Sequence, residues 1–126
     1  MRHGGRATGA DRGSATVLAL AAAGALLACL LGGLAVTSAV HASHRARAGA
    51  DLAALAAAGA LTQGAQVGTA CAKGSSIAAA NGTTLRTCTA HADGSATVEV
   101  TAPLRLMLPG LPVGPAVARA RAGPRL

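Results

Sequence analysis

Residues 15–40 contain no charge, no proline and no aromatic, and they are mostly Ala, Leu, Val and Gly. A helix rises about 1.5 Å per residue and a bilayer core is about 30 Å thick, so about 20 apolar residues cross it. This run is longer than that. Its only polar groups are Thr16, Cys29, Thr37 and Ser38, which lie near the ends or are weakly polar. A surface helix of a soluble domain would carry a polar face. The run therefore predicts one transmembrane helix, and the rest of the chain divides around it.

Residues 1–14 are basic and Gly-rich, with Arg2, His3, Arg6 and Arg12 against Asp11. They show no apolar period and read as a disordered tail. Positive residues stay in the cytoplasm, which predicts an inward N-terminus and an extracytoplasmic C-terminal domain in the cell membrane. Arg45 and Arg47, accompanied by Asp51, weaken that bias at the other end. A secretory signal is the alternative, with small-residue cleavage sites at residues 37–39 or 40–42. Its apolar region, however, is usually about 7–15 residues long, so an anchor fits better.

The chain has 126 residues, so about 80 follow the span, near the lower size limit for a stable core. It has no Phe, Trp or Tyr, and its core must be built from Ala, Leu, Val and Ile. Such a domain needs a staple or a partner. The formal net charge is +7, but the Lys and Arg residues are scattered and no aromatic is present to stack on bases. The sequence predicts no nucleic-acid binding. An anionic membrane or an acidic envelope polymer fits the charge equally well.

Within the span, Gly24, Ala28 and Gly32 recur every four residues, a spacing that lets a second helix approach closely in lipid. The same spacing arises by chance in a segment this rich in Ala and Gly. Nothing stops the helix at Val40, because no proline occurs between Ala15 and Pro103. The helix is predicted to continue through residues 41–62, with Arg47 and Asp51 paired one turn apart. Leu52, Leu55 and Gly59 would lie along one face. His41 and His44 share a face without a third ligand and read as interfacial polar residues rather than a metal pair.

Residues 63–122 are expected to form a small α+β domain, followed by a tail at 123–126. Gln63-Gly64 breaks the rod. A second helix over residues 66–80 closes at Asn81-Gly82, where the left-handed conformation is tolerated. Asn81-Gly82-Thr83 also matches a glycosylation sequon, which the cap explains without a glycan. Residues 83–91 then read as a strand, Asp93-Gly94 as a hairpin turn, and residues 95–102 as a second strand with Val98 and Val100 on one face. After a Pro/Gly loop at 108–115, Val117, Arg119 and Arg121 alternate with alanines as an outward-charged edge strand. The economical picture is a three-stranded antiparallel meander packed on the second helix.

Cys71 and Cys88 fall on the second helix and the first strand. Outside the membrane they would form a disulfide. The alternatives are two buried thiols or a metal site, the latter disfavoured without a C-x-x-C motif or a matching His pair. Cys29 reads as a small apolar residue. No serine lies in a G-x-S-x-G elbow, no carboxylate pair is poised for acid–base work, and no phosphate loop occurs. The sequence predicts no enzyme, no cofactor and no small-molecule substrate.

Two stretches carry a resemblance. Asp11-Arg12-Gly13-Ser14-Ala15-Thr16-Val17-Leu18 leads into the span. His44-Arg45-Ala46-Arg47-Ala48-Gly49-Ala50-Asp51-Leu52-Ala53-Ala54-Leu55-Ala56 follows it. With Cys71, Asn81-Gly82, Cys88 and the Ala/Arg tail, the chain resembles the TadE-like proteins of high-GC Gram-positive bacteria. These are small pseudopilin-like relatives of Tad (Flp) pilus-assembly components. The resemblance implies a structural or accessory subunit of a type IV-related pilus or secretion system, packed by its N-terminal helix against pilin-like or secretion-system partners. It also implies prepilin-type cleavage between Gly13 and Ser14. The chain departs from the processed pattern at Leu18, where such proteins carry Glu five residues after the cut.

Overall fold

In the computed structural model, residues 10–105, Gly110 and residues 114–125 are described. The order is α1 (Ala10–Thr62), α2 (Val67–Ala80), β1 (Thr84–Ala90), β2 (Ala96–Ala102) and β3 (Ala116–Ala122). The fold is α+β, as the sequence predicts. Arg2, His3, Arg6, Leu108 and Leu111–Val113, on which the basic tail and the Pro/Gly loop were read, lie outside the described residues. Helix α1 starts at Ala10, so the last residues assigned to the tail are helical.

The chain divides into two compact units, Met1–Leu34 and Ala35–Leu126. In the first, every side chain from Gly13 onward is exposed. Helix α1 is long and apolar enough to cross a membrane, and none of its most apolar window is buried.

The second unit is a helical layer on a meander of order β1-β2-β3. Both helices end in the same way. At α1, Gly64 takes φ +85°, with Gly64 N–H donating to Leu61 O at 3.0 Å and Ala65 N–H to Ala60 O at 3.0 Å. At α2, Gly82 takes φ +69°, and the N–H groups of Gly82 and Thr83 donate to Ala79 O and Ala78 O. These paired bonds satisfy carbonyls that the last turn would otherwise orphan, and the left-handed residue they need is glycine.

The core is made of alanine. Helix α1 buries Ala42, Ala46, Ala50, Ala53, Ala57 and Ala60, a run at three-and-four spacing. Ala46, Ala50, Ala53 and Ala54 meet Ala78 of α2 and Val98, Val100 and Ala102 of β2. The expected stripe of Leu52 and Leu55 is the opposite, exposed face of the helix. The reason is steric. Gly74 of α2 sits so close to α1 that a β-carbon there would lie 3.1 Å from the Ala53 carbonyl oxygen. At that separation alanine fits and leucine does not. The meander therefore packs on α1 as well as on α2.

Candidate functional site

Gly24, Ala28 and Gly32 lie on α1, all exposed, and added β-carbons at Gly24 and Gly32 would meet nothing within 4 Å. The first unit thus presents a small-residue face flanked by exposed Leu20, Leu27 and Leu31. Cys29 is a free, exposed thiol on the same helix. Gly13 and Ser14 also sit within α1 and are exposed.

In the second unit, Cys71 of α2 and Cys88 of β1 form a disulfide with a Cα–Cα distance of 5.9 Å. A strand irregularity puts Cys88 where this is possible. Leu85 pairs with Val100 and Cys88 with Val98, and the register shifts between Leu85 and Thr87. Leu85 and Cys88 are three apart, so a regular strand would point them to opposite faces. The bulge at Arg86 absorbs one residue, and both reach the helix-facing side.

Strand β3 is an edge. Its Arg119 donates to Glu99 Oε2 at 2.7 Å across the β2–β3 pair. Arg121 donates from Nη2 to Asp93 Oδ2 at 2.9 Å and from Nε to Ser95 Oγ at 3.0 Å. Asp93 Oδ1 also accepts from the Ser95 backbone N–H and hydroxyl. These two Ser95 bonds, reinforced by the Arg121 charge, lower the Asp93 pKa from 3.8 to about 2. The turn itself spans His91–Ser95, with Gly94 at φ +78°, so the Asp93-Gly94 signal is realised in a wider loop than a two-residue hairpin.

The expected Arg47–Asp51 pair does not form. The ion pairs among the described residues are Arg119–Glu99 and Arg121–Asp93. Both Arg47 and Asp51 are exposed, where such a pair is worth only a few tenths of a kcal/mol and side-chain entropy opposes it. Asp51 instead lines an open groove of about 350 Å³ with Ala54, Leu55, Ala120, Arg121 and Ala122. The groove and the Asp93–Ser95–Arg121 cluster were not found in the sequence, because each joins residues from different elements. Among the described residues, no three of His, Cys, Asp and Glu come together as metal ligands.

Comparison with protein-family models, curated proteins and solved structures gives no match.

Proposed function

We propose that the chain is a single-pass membrane subunit, structural or accessory, of a Tad/Flp-like pilus or secretion apparatus. It acts by helix–helix packing in the membrane and has no catalytic role of its own. The observation that carries this reading is α1, one unbroken helix that is bare and apolar through residues 13–34 and becomes a core element from Ala42 onward. Lipid and neighbouring helices are the surroundings that such a bare face suits. The apparatus itself is suggested by the resemblance around residues 11–18 and 44–56.

The Cys71–Cys88 disulfide supports an extracytoplasmic second unit and hence a cytoplasmic N-terminus, because such bonds persist in oxidising compartments. Leu18 in place of the usual glutamate supports an uncut, membrane-resident subunit. The test is the intact mass of the protein taken from membranes, with a phosphatase fused to the C-terminus reporting topology. A full-length mass and an active phosphatase are expected. A mature start near residue 40 would overturn the reading in favour of a secreted domain. A start at Ser14 would move the subunit into the filament.

A further inference from the structure

We infer that the second unit carries a basic collar, formed by Arg45, Arg47, Arg86 and Arg105, that holds the phosphodiester headgroups of anionic phospholipids around the exit point of α1. The inference rests on α1 spanning a membrane and is independent of which leaflet the collar faces.

The four arginines come from α1, β1 and the segment after β2, and the packing brings them to one end of the unit. Gly82, at the end of α2, lies against Arg45, with an added β-carbon 3.4 Å from Cδ. Thr83 lies against Gly49 of α1. Strand β1 therefore starts beside this part of α1, and Arg86 sits in its first turns of backbone at the bulge. Thr84 pairs with Thr101, so β2 ends at the same level, and Arg105 follows that end. Past the buried Ala42 the helix continues toward Ala35 with Val40 and Val36 exposed.

Charge points the same way. None of the four arginines has a carboxylate partner among the described residues, whereas Arg119 and Arg121 of β3 are both paired. The nearest acids are Asp51, one turn beyond Arg47, and Glu99, which Arg119 holds. Depth agrees as well. From His41 to Arg47 the helix advances about 9 Å at 1.5 Å per residue. A bilayer of about 40–45 Å with a core of about 30 Å has headgroup layers of about 5–8 Å. Arg45 and Arg47 lie at the far end of that stretch, and guanidinium groups donate in forks that match phosphate oxygens.

The experiment uses the full chain in phosphatidylcholine vesicles carrying traces of spin-labelled phosphatidylglycerol or spin-labelled phosphatidylcholine. Electron paramagnetic resonance reads the motionally restricted fraction of each. Phosphatidylglycerol should be restricted about three-fold more than phosphatidylcholine at low salt, falling to parity in molar salt. Replacing the four arginines with glutamine should give parity at low salt. Replacing Arg2, Arg6 and Arg12 should leave the preference in place. An intact Cys71–Cys88 bond checks that each variant is folded, and the salt dependence of the unmodified chain needs no variant. Restricted lipid without a phosphatidylglycerol excess, or an excess that follows Arg2, Arg6 and Arg12, overturns the collar alone. No restricted lipid of either kind overturns the span as well. Retention on a soluble polyanion without lipid preference also overturns the collar, in favour of an acidic polymer.

Discussion

Gly49 of α1 packs directly against Thr83, so that a β-carbon on Gly49 would lie 2.5 Å from Thr83 Oγ1 and 2.7 Å from its Cγ2. Thr83 is buried and its hydroxyl donates to Ala78 O at 2.9 Å, so it has no room to retreat. Gly49→Ala should therefore destabilise the second unit by about 1–3 kcal/mol, the usual range for overpacking. Gly59, in the same helix, meets nothing within 4 Å. There the helix propensity of alanine prevails, and Gly59→Ala should stabilise by about 0.5–1 kcal/mol. Denaturant melts of both variants in detergent check the pair. Equal effects from the two would show that the close approach at Gly49 is not formed.

The Cys71–Cys88 bond closes a loop with a sequence separation of 17. Constraining the unfolded chain in this way stabilises by about 3 kcal/mol in the entropy model. An alanine core gains little area per residue, so this is a large share of the total. Reduction, or Cys71→Ala with Cys88→Ala, should lower the unfolding free energy by about that amount. Deleting Arg86 is a sharper test of the bulge. Without it, Leu85 and Cys88 stand two apart and share one face of a regular strand, so the deletion variant should keep both the bond and the packing of Leu85. Non-reducing mass analysis and a melt of the deletion variant check this, and loss of the bond would show that Arg86 is not the extra residue.

Regular alternation made β2 and β3 readable, since Val98 and Val100 are the two largest fully buried side chains and Arg119 and Arg121 point outward. Glycines following the helices marked both helix ends. The buried face of α1 was not readable. Hydrophobicity favours Leu52 and Leu55 as core, but Leu55 is 60% exposed. What decides the face is how closely α2 and the sheet approach, and Gly74 and Gly49 set that distance. The bulge at Arg86 carries no glycine or proline, so no local signal announced it. The Arg121–Asp93 pair is 28 residues apart in sequence, and only the meander joins it.

Asp93 gives the hairpin a defined acid sensitivity. Its pKa falls from 3.8 to about 2 in the folded chain, mainly through the two Ser95 hydrogen bonds. A carboxyl depressed by folding adds stability above its unfolded pKa, and that stability is lost as pH drops through the folded value. The contribution should be complete above about pH 5, fall as pH drops through 3.8 and then about 2, and be gone near pH 1. Asp93→Asn should remove this part of the slope, so that the variant and the parent chain converge in stability toward about pH 1. Melts at stepped pH at constant ionic strength check it. An unchanged slope between pH 4 and 2 in the variant would mean that Asp93 does not hold the turn.

The small-residue face at Gly24, Ala28 and Gly32 is the remaining test of helix packing. Two helices in lipid associate by close van der Waals contact, and a leucine on that face holds the backbones apart. Gly24→Leu with Gly32→Leu should abolish co-purification with partner subunits from membranes. Both positions are exposed with open space around them, and leucine is the better helix former. The double variant should therefore insert normally and keep the Cys71–Cys88 bond. That separates a lost partner from a lost fold. Leu20 and Leu27, replaced by alanine, serve as the comparison, since they alter apolar bulk without blocking the glycine face. If the leucine variant still co-purifies while the alanine variant does not, the contact runs through the leucines instead.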